Sequence, residues 1–183
     1  MINTANNEQQ LEILHTKAHP VEFPLSKENV AFVEKLYKEV KAVDPPPLGL
    51  AANQIAESAD HIPSMFLALF DYETKEIEDD EGNKKEEFDT SKPIFQLFIN
   101  PQLKLSGGQV KNIEGCLSIP GKLQPIKRYR NATITYNDIQ GNKFTVKING
   151  KETMLSFIVQ HEYDHLQGLL ITDPRLKKHG FRL

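Results

Sequence analysis

Along the chain, apolar residues first fall at helical spacing between Ser26 and Lys41, where Val30, Val33, Leu36, Tyr37 and Val40 lie on one face. Ser26 supplies an N-cap, and Asp44-Pro45-Pro46-Pro47 stops the helix, so one face is expected to pack on a core. Ser64 to Phe70 and Ile94 to Asn100 are short runs rich in phenylalanine, leucine and isoleucine, and they predict strands. Ala132 to Tyr136 and Phe144 to Ile148 alternate apolar with polar around a turn at Asp138 to Asn142 and predict two more. From about Lys151 to Gln167 the period is helical again. Met154, Leu155, Phe157, Ile158, Val159 and Leu166 spread over much of the circumference, and Gly168 ends the run. The pattern predicts an α+β fold, with mostly antiparallel β-sheets around a central, buried C-terminal helix.

Polar stretches refine this picture. Asp71 to Lys92 carries ten acidic and four basic side chains, too many for a core, and is expected to form a long hairpin excursion with a mobile turn at Glu81-Gly82-Asn83. No other boundary interrupts residues 1–183, so a single domain is expected. No apolar run approaches the eighteen or so residues that cross a bilayer, and Met1 to Gln10 has no leader-like pattern, which makes a cytoplasmic location the default. The net charge of -3 hides an asymmetry: residues 93–183 hold thirteen basic and six acidic groups. A basic C-terminal half suits an anionic partner such as RNA, and equally a solvated lysine surface.

The chemistry concentrates in Gln160-His161-Glu162-Tyr163-Asp164-His165. On a helix His161 and His165 sit one turn apart on one face and can share a cation, while Glu162, about 100° round, is a candidate general base for a water in the site. Two imidazoles on a buried helix need partners or a metal to offset their desolvation. A catalytic metal normally takes three protein ligands. Cys116 is the only cysteine, which rules out an intrachain disulfide, and in Glu114-Gly115-Cys116-Leu117-Ser118-Ile119-Pro120 a thiolate can supply the third ligand. A lone cysteine is more often a small buried apolar residue. Leu48-Gly49-Leu50-Ala51-Ala52-Asn53-Gln54-Ile55, small and apolar apart from the amides of Asn53 and Gln54, reads as a tightly packed core segment or as backbone that something approaches closely.

Three separated segments, in order, resemble the three signature motifs of the peptide deformylase family: Leu48 to Gln54, Glu114 to Ser118, and Gln160 to His165. A lone His-Glu-x-x-His pattern is shared with other metallopeptidases, whereas the three together are specific, and the similarity spans roughly residues 26–172. The resemblance implies a peptide deformylase-like fold and a metal-dependent hydrolase that removes the formyl group from the N-terminal formyl-methionine of newly made polypeptides, releasing formate. It implies that Cys116, His161 and His165 bind one divalent ion, commonly Fe2+, with Zn2+, Ni2+ or Co2+ able to substitute. Glu162 corresponds to the catalytic base, Gln54 and the backbone N–H of Leu117 to the groups that stabilise the oxyanion, and Gly49 to backbone offered to the substrate. Leu48, Phe157 and Ile158 correspond to the methionine pocket, although core packing would explain them as well. Glu114 and Arg128 are spaced like an ion pair that steadies the cysteine loop. The implied partners are N-formylmethionyl nascent peptides and, transiently, the ribosome, for a monomer with no membrane association. A bacterial, viral or organellar source all fit.

The chain also departs from the family's usual pattern. Pro47 stands where many members have glycine, Leu123 where many bacterial members have arginine, the acidic excursion is long, and the basic tail after Gly168, with Arg175, Lys177, Lys178 and Arg182, is short. Two rival readings are an endopeptidase built on the same helix motif, which would cleave unformylated peptides, and a catalytically idle metal-binding or ribosome-associated module, which would bind metal without releasing formate.

Overall fold

The computed structural model describes residues 1–78, 84–149, 153–174 and 176. Its elements run α1 (Glu8–His15), α2 (Lys27–Ala42), β1 (Gly49–Ala51), a 3-10 turn (Ala52–Gln54), β2 (Met65–Glu78), β3 (Lys84–Glu114), β4 (Gln124–Asn137), β5 (Lys143–Ile148) and α3 (Thr153–Leu166). The strands form one antiparallel sheet in the order β1-β2-β3-β4-β5, so each strand pairs with its neighbours in sequence.

Helix α2 begins where its cap predicts, with the Ser26 side chain accepting from the Asn29 N–H. Val33, Leu36 and Val40 are buried, but Val30 is exposed, and Asn29 takes the buried place on that first turn. The strands extend well past their apolar runs. Residues 71–72 pair with 93–94 and, after a register shift, 74–78 with 84–88, so the acidic excursion is a ladder of the same sheet, with cross-strand ion pairs such as Lys84–Glu76 and Lys92–Glu73 between its two arms. The turn expected at residues 81–83 lies outside the described residues. Residues 101–114 and 124–131 were not expected as strands; residues 102–105 pair with 132–135 of the expected strand and 106–114 with 124–131, and the ladder ends at Glu114, which sets the cysteine segment at the end of β3. Helix α1, also unexpected, is capped by Asn7 and buries only Ile13 and Leu14.

The core lies between the sheet and α3, where Phe66 and Phe98 stack with ring centroids 4.9 Å apart. Ile158, Val159 and Leu166 of α3 join it, whereas Met154 is exposed at the helix start. Gly168 ends α3 with φ +68°, and the space a Cβ would need is filled by the backbone of His15. His15 Nδ1 meets the Gly168 carbonyl at 3.0 Å, which ties α1 to the end of the central helix.

Candidate active site

Three elements converge on one cleft of about 730 Å3: β1 with its 3-10 turn, the segment after β3, and one face of α3. The helix is held to β4 by two residues one turn apart. Gln160 accepts from the Tyr129 N–H (3.0 Å) and donates to its carbonyl (2.9 Å), acting as a substitute strand along the edge of β4 that β5 leaves open. Asp164 pairs with Arg128, the preceding residue of β4.

Arg128 is buried and also grips Glu114 through two bonds of 2.7 Å, so one guanidinium joins β4, the end of β3 and α3. The sequence pairing of Glu114 with Arg128 is present; its extension to Asp164 was not anticipated. Burial favours a neutral Glu114, but the Arg128 and His161 hydrogen bonds outweigh this and lower its pKa to about 2. Burial likewise opposes the charge on Arg128, and the two carboxylates more than restore it.

Glu114 Oε2 lies 3.0 Å from His161 Nδ1, the geometry in which a protonated Nδ1 donates and Nε2 is left for a ligand. Cys116 Sγ lies 3.2 Å from His165 Nε2, and the potential donor atoms of Cys116, His161 and His165 all fall within 4.8 Å of one another. Burial would raise the Cys116 thiol. The charge of His165 and the hydrogen bonds of His161 and His165 instead bring it well below the usual thiol value. Burial would lower His161, but its bonds to Cys116 and Glu114 carry it up to about 10. The cluster therefore draws positive charge, and a divalent ion binding there displaces protons. One sulfur and two imidazole nitrogens form a donor set that suits such an ion, so the residues present fit a mononuclear metal centre.

Glu162 is buried beside these groups, and its Oε2 has no hydrogen-bond partner. Burial raises its carboxyl to about 7, against the lowering effect of the two histidines. A Cβ at Gly49 would come within 2.5 Å of Glu162 Oε1, so this position accepts only glycine without moving the carboxylate. Gln54 is buried with its orientation fixed: Oε1 accepts from the Ala51 N–H at 2.9 Å, and Nε2 points to Ser118 Oγ at 3.2 Å and Cys116 Sγ at 3.9 Å. Leu117 lies in the turn closed by the Ile119 N–H to the Cys116 carbonyl. Leu48, Phe157 and Ile158 line the cleft. So do Leu123, singled out in the sequence as a departure from the family pattern, and Met154 and Ile113, whose exposed apolar side chains the sequence offered no reason to place there.

A buried glutamate beside a Cys-His-His donor set, at the end of an apolar cleft, defines a metal-dependent hydrolase. Comparison with known proteins narrows the class. The model of the polypeptide deformylase family matches residues 2–180. The peptide deformylase of Desulfotalea psychrophila is 34% identical over 157 residues, covering 81% of this chain and 80% of that protein. Peptide deformylase 1 of Clostridium perfringens is 41% identical over 81 residues, a match that spans about half of that protein, 53%, and 44% of this chain. Among solved structures, peptide deformylase from Plasmodium falciparum superposes with a TM-score of 0.67 at 26% identity, covering 97% of this chain and 89% of that one. This chain belongs to the polypeptide deformylase family, whose members are metal-dependent enzymes that remove formyl groups from nascent peptides. Among the described residues no helix is long and apolar enough to cross a membrane.

Proposed function

We propose that this chain hydrolyses the formyl amide of N-terminal formyl-methionine on newly made polypeptides, with Glu162 as the base. The observation that carries the reading is the unpartnered, buried Glu162 Oε2 beside the Cys116, His161 and His165 donors. These three residues hold one ion, Fe2+ in the cell, with Zn2+, Ni2+ or Co2+ as substitutes. When bound, the ion acidifies a water and polarises the formyl carbonyl.

Glu162 accepts that water's proton at Oε2 as the water oxygen attacks the formyl carbon. A carboxyl raised toward neutrality suits both proton transfers, because it can take the proton and then give it to the amine nitrogen as the C–N bond breaks. Negative charge develops on the formyl oxygen, and Gln54 Nε2 and the Leu117 N–H stabilise it. One such fixed donor lowers a barrier by about 3 kcal/mol. A neutral amide serves here without adding charge beside the Cys116 sulfur. Gly49 presents backbone to the peptide, and Leu48, Phe157 and Ile158 receive the methionine side chain. The reading extends to a single catalytic domain that works as a cytoplasmic monomer and meets the ribosome transiently.

The test is formate release from a formyl-Met tripeptide by protein purified without oxygen and loaded in turn with iron, nickel or zinc. Protein that binds one ion yet releases no formate would sink the proposal. Cleavage of unformylated peptides would point instead to an endopeptidase.

A further inference from the structure

Residues 3–5 run between the two segments that carry the oxyanion groups. The Asn3 N–H donates to the carbonyl of Gln54 itself at 2.7 Å, and the Asn3 side-chain amide donates to the carbonyls of Asn53 (3.0 Å) and Ala56 (2.8 Å). Two residues on, the Ala5 N–H donates to the Ser118 carbonyl at 2.9 Å. Ser118 follows Leu117 and carries the hydroxyl that meets Gln54 Nε2. Between them, the Thr4 N–H and hydroxyl both reach Gln10 Oε1 (2.9 and 3.2 Å), fastening this strap to α1.

The 3-10 turn explains why a strap is needed. It spans only Ala52–Gln54 and closes through the Ala52 carbonyl, which accepts from Ile55 and Ala56, so it leaves the carbonyls of residues 53, 54 and 56 to be satisfied from outside. Asn3 is buried and satisfies all three. An amide is the suitable group, because its nitrogen brings two donors to two carbonyls, whereas a carboxylate would face both with negative charge. The backbone that aims the Gln54 side chain is therefore set by Asn3, and the turn opposite it by Ala5.

We propose that Asn3 is a positioning residue for deformylation, acting through Gln54 to hold the oxyanion donors on target. The inference rests on the deformylase reading of Gln54. A displacement of about 1 Å at such a donor can cost on the order of a hundredfold in rate, so partial loosening should still be measurable.

The experiment is a double-mutant cycle on the metal-loaded enzyme using Asn3→Ala and Gln54→Ala, with kcat, KM, bound metal and melting temperature recorded for each protein. Asn3→Ala is expected to lower kcat about tenfold with KM within about twofold and metal content unchanged, and to lower it less than about twofold further once Gln54 is alanine. In a parallel NMR measurement on the zinc form, the Gln54 side-chain amide signals should move in Asn3→Ala. They should stay in place in Thr4→Ala, which loses only the hydroxyl contact to Gln10 and keeps its kcat. If Asn3→Ala melts below the assay temperature, Asn3→Ser, which keeps one donor, takes its place in the cycle. Equal losses from Asn3→Ala in both backgrounds, or unmoved Gln54 signals, overturn the inference while leaving the role of Gln54 intact. A Gln54→Ala protein at wild-type rate overturns that role and the inference with it.

Discussion

Replacing Gly49 with alanine isolates the contact between β1 and the proposed base. The new methyl would stand 2.5 Å from Glu162 Oε1, 2.7 Å from Cδ and 2.8 Å from Cγ, where ordinary contact begins at 3.4 Å. Oε1 must therefore retreat by roughly 0.9 Å. Neither backbone can yield easily: Gly49 is paired with Ala68 in the sheet, and α3 is tied to β4 through Gln160 and Asp164. The carboxylate must rotate away instead, and a misplacement of about 1 Å at a catalytic group can cost on the order of a hundredfold in kcat. Overpacking should also destabilise the fold by about 1–3 kcal/mol. Formate release gives kcat and KM, and elemental analysis and a thermal melt show that the protein still binds metal and folds. If Gly49 serves only as backbone for the peptide, KM will rise and kcat will hold. A Gly49→Ala enzyme with kcat within about twofold of wild type would refute the claim that this glycine seats Glu162.

Glu162→Ala should keep the metal, by elemental analysis, and lose turnover by at least about a hundredfold, the lower end of what a general base contributes; a variant near wild-type rate rules Glu162 out as the base. Cys116→Ala should lose tight metal binding, read by elemental analysis after dialysis against a chelator, because two imidazoles alone remain. Arg128→Met leaves the buried Glu114 and Asp164 carboxylates without their cation and should destabilise the fold by about 3–5 kcal/mol in denaturant melts. Unchanged stability would mean that the three-way pair is not what joins α3 to the sheet.

Helix α2 and the apolar hearts of β2 to β5 were legible because apolar periodicity is local and helix ends are chemical: the Ser26 side chain caps α2, and Gly168, lacking a side chain, takes the positive φ that ends α3. The three residues of β1 are too few to show a period. Helix α1 escaped because eight mostly polar residues bury only two side chains; it is held by its Asn7 cap, by Thr4 on Gln10 and by the distant Gly168 carbonyl on His15. The long reach of β3 and β4 escaped for a related reason. Residues such as Ser106, Gln109, Lys111 and Lys127 have no alternation strong enough to announce a strand, and they are extended because their partners across the ladder are.

The sequence by itself determined the chemistry on offer. It held a single cysteine, two histidines one turn apart, a glutamate between them, a glutamine among small residues, and an order of motifs specific enough to name a family. Only the tertiary structure decided which atoms meet. It joined Asp164 to the Glu114–Arg128 pair, set Gly49 against Glu162, fixed which end of the Gln54 amide faces Cys116, and brought Asn3 under the turn that carries Gln54. Periodicity and capping act within a few residues and leave their mark on the local sequence. Burial, ion pairing and close contact act between segments 36 to more than a hundred residues apart, and their partners are defined only once the sheet and α3 have packed.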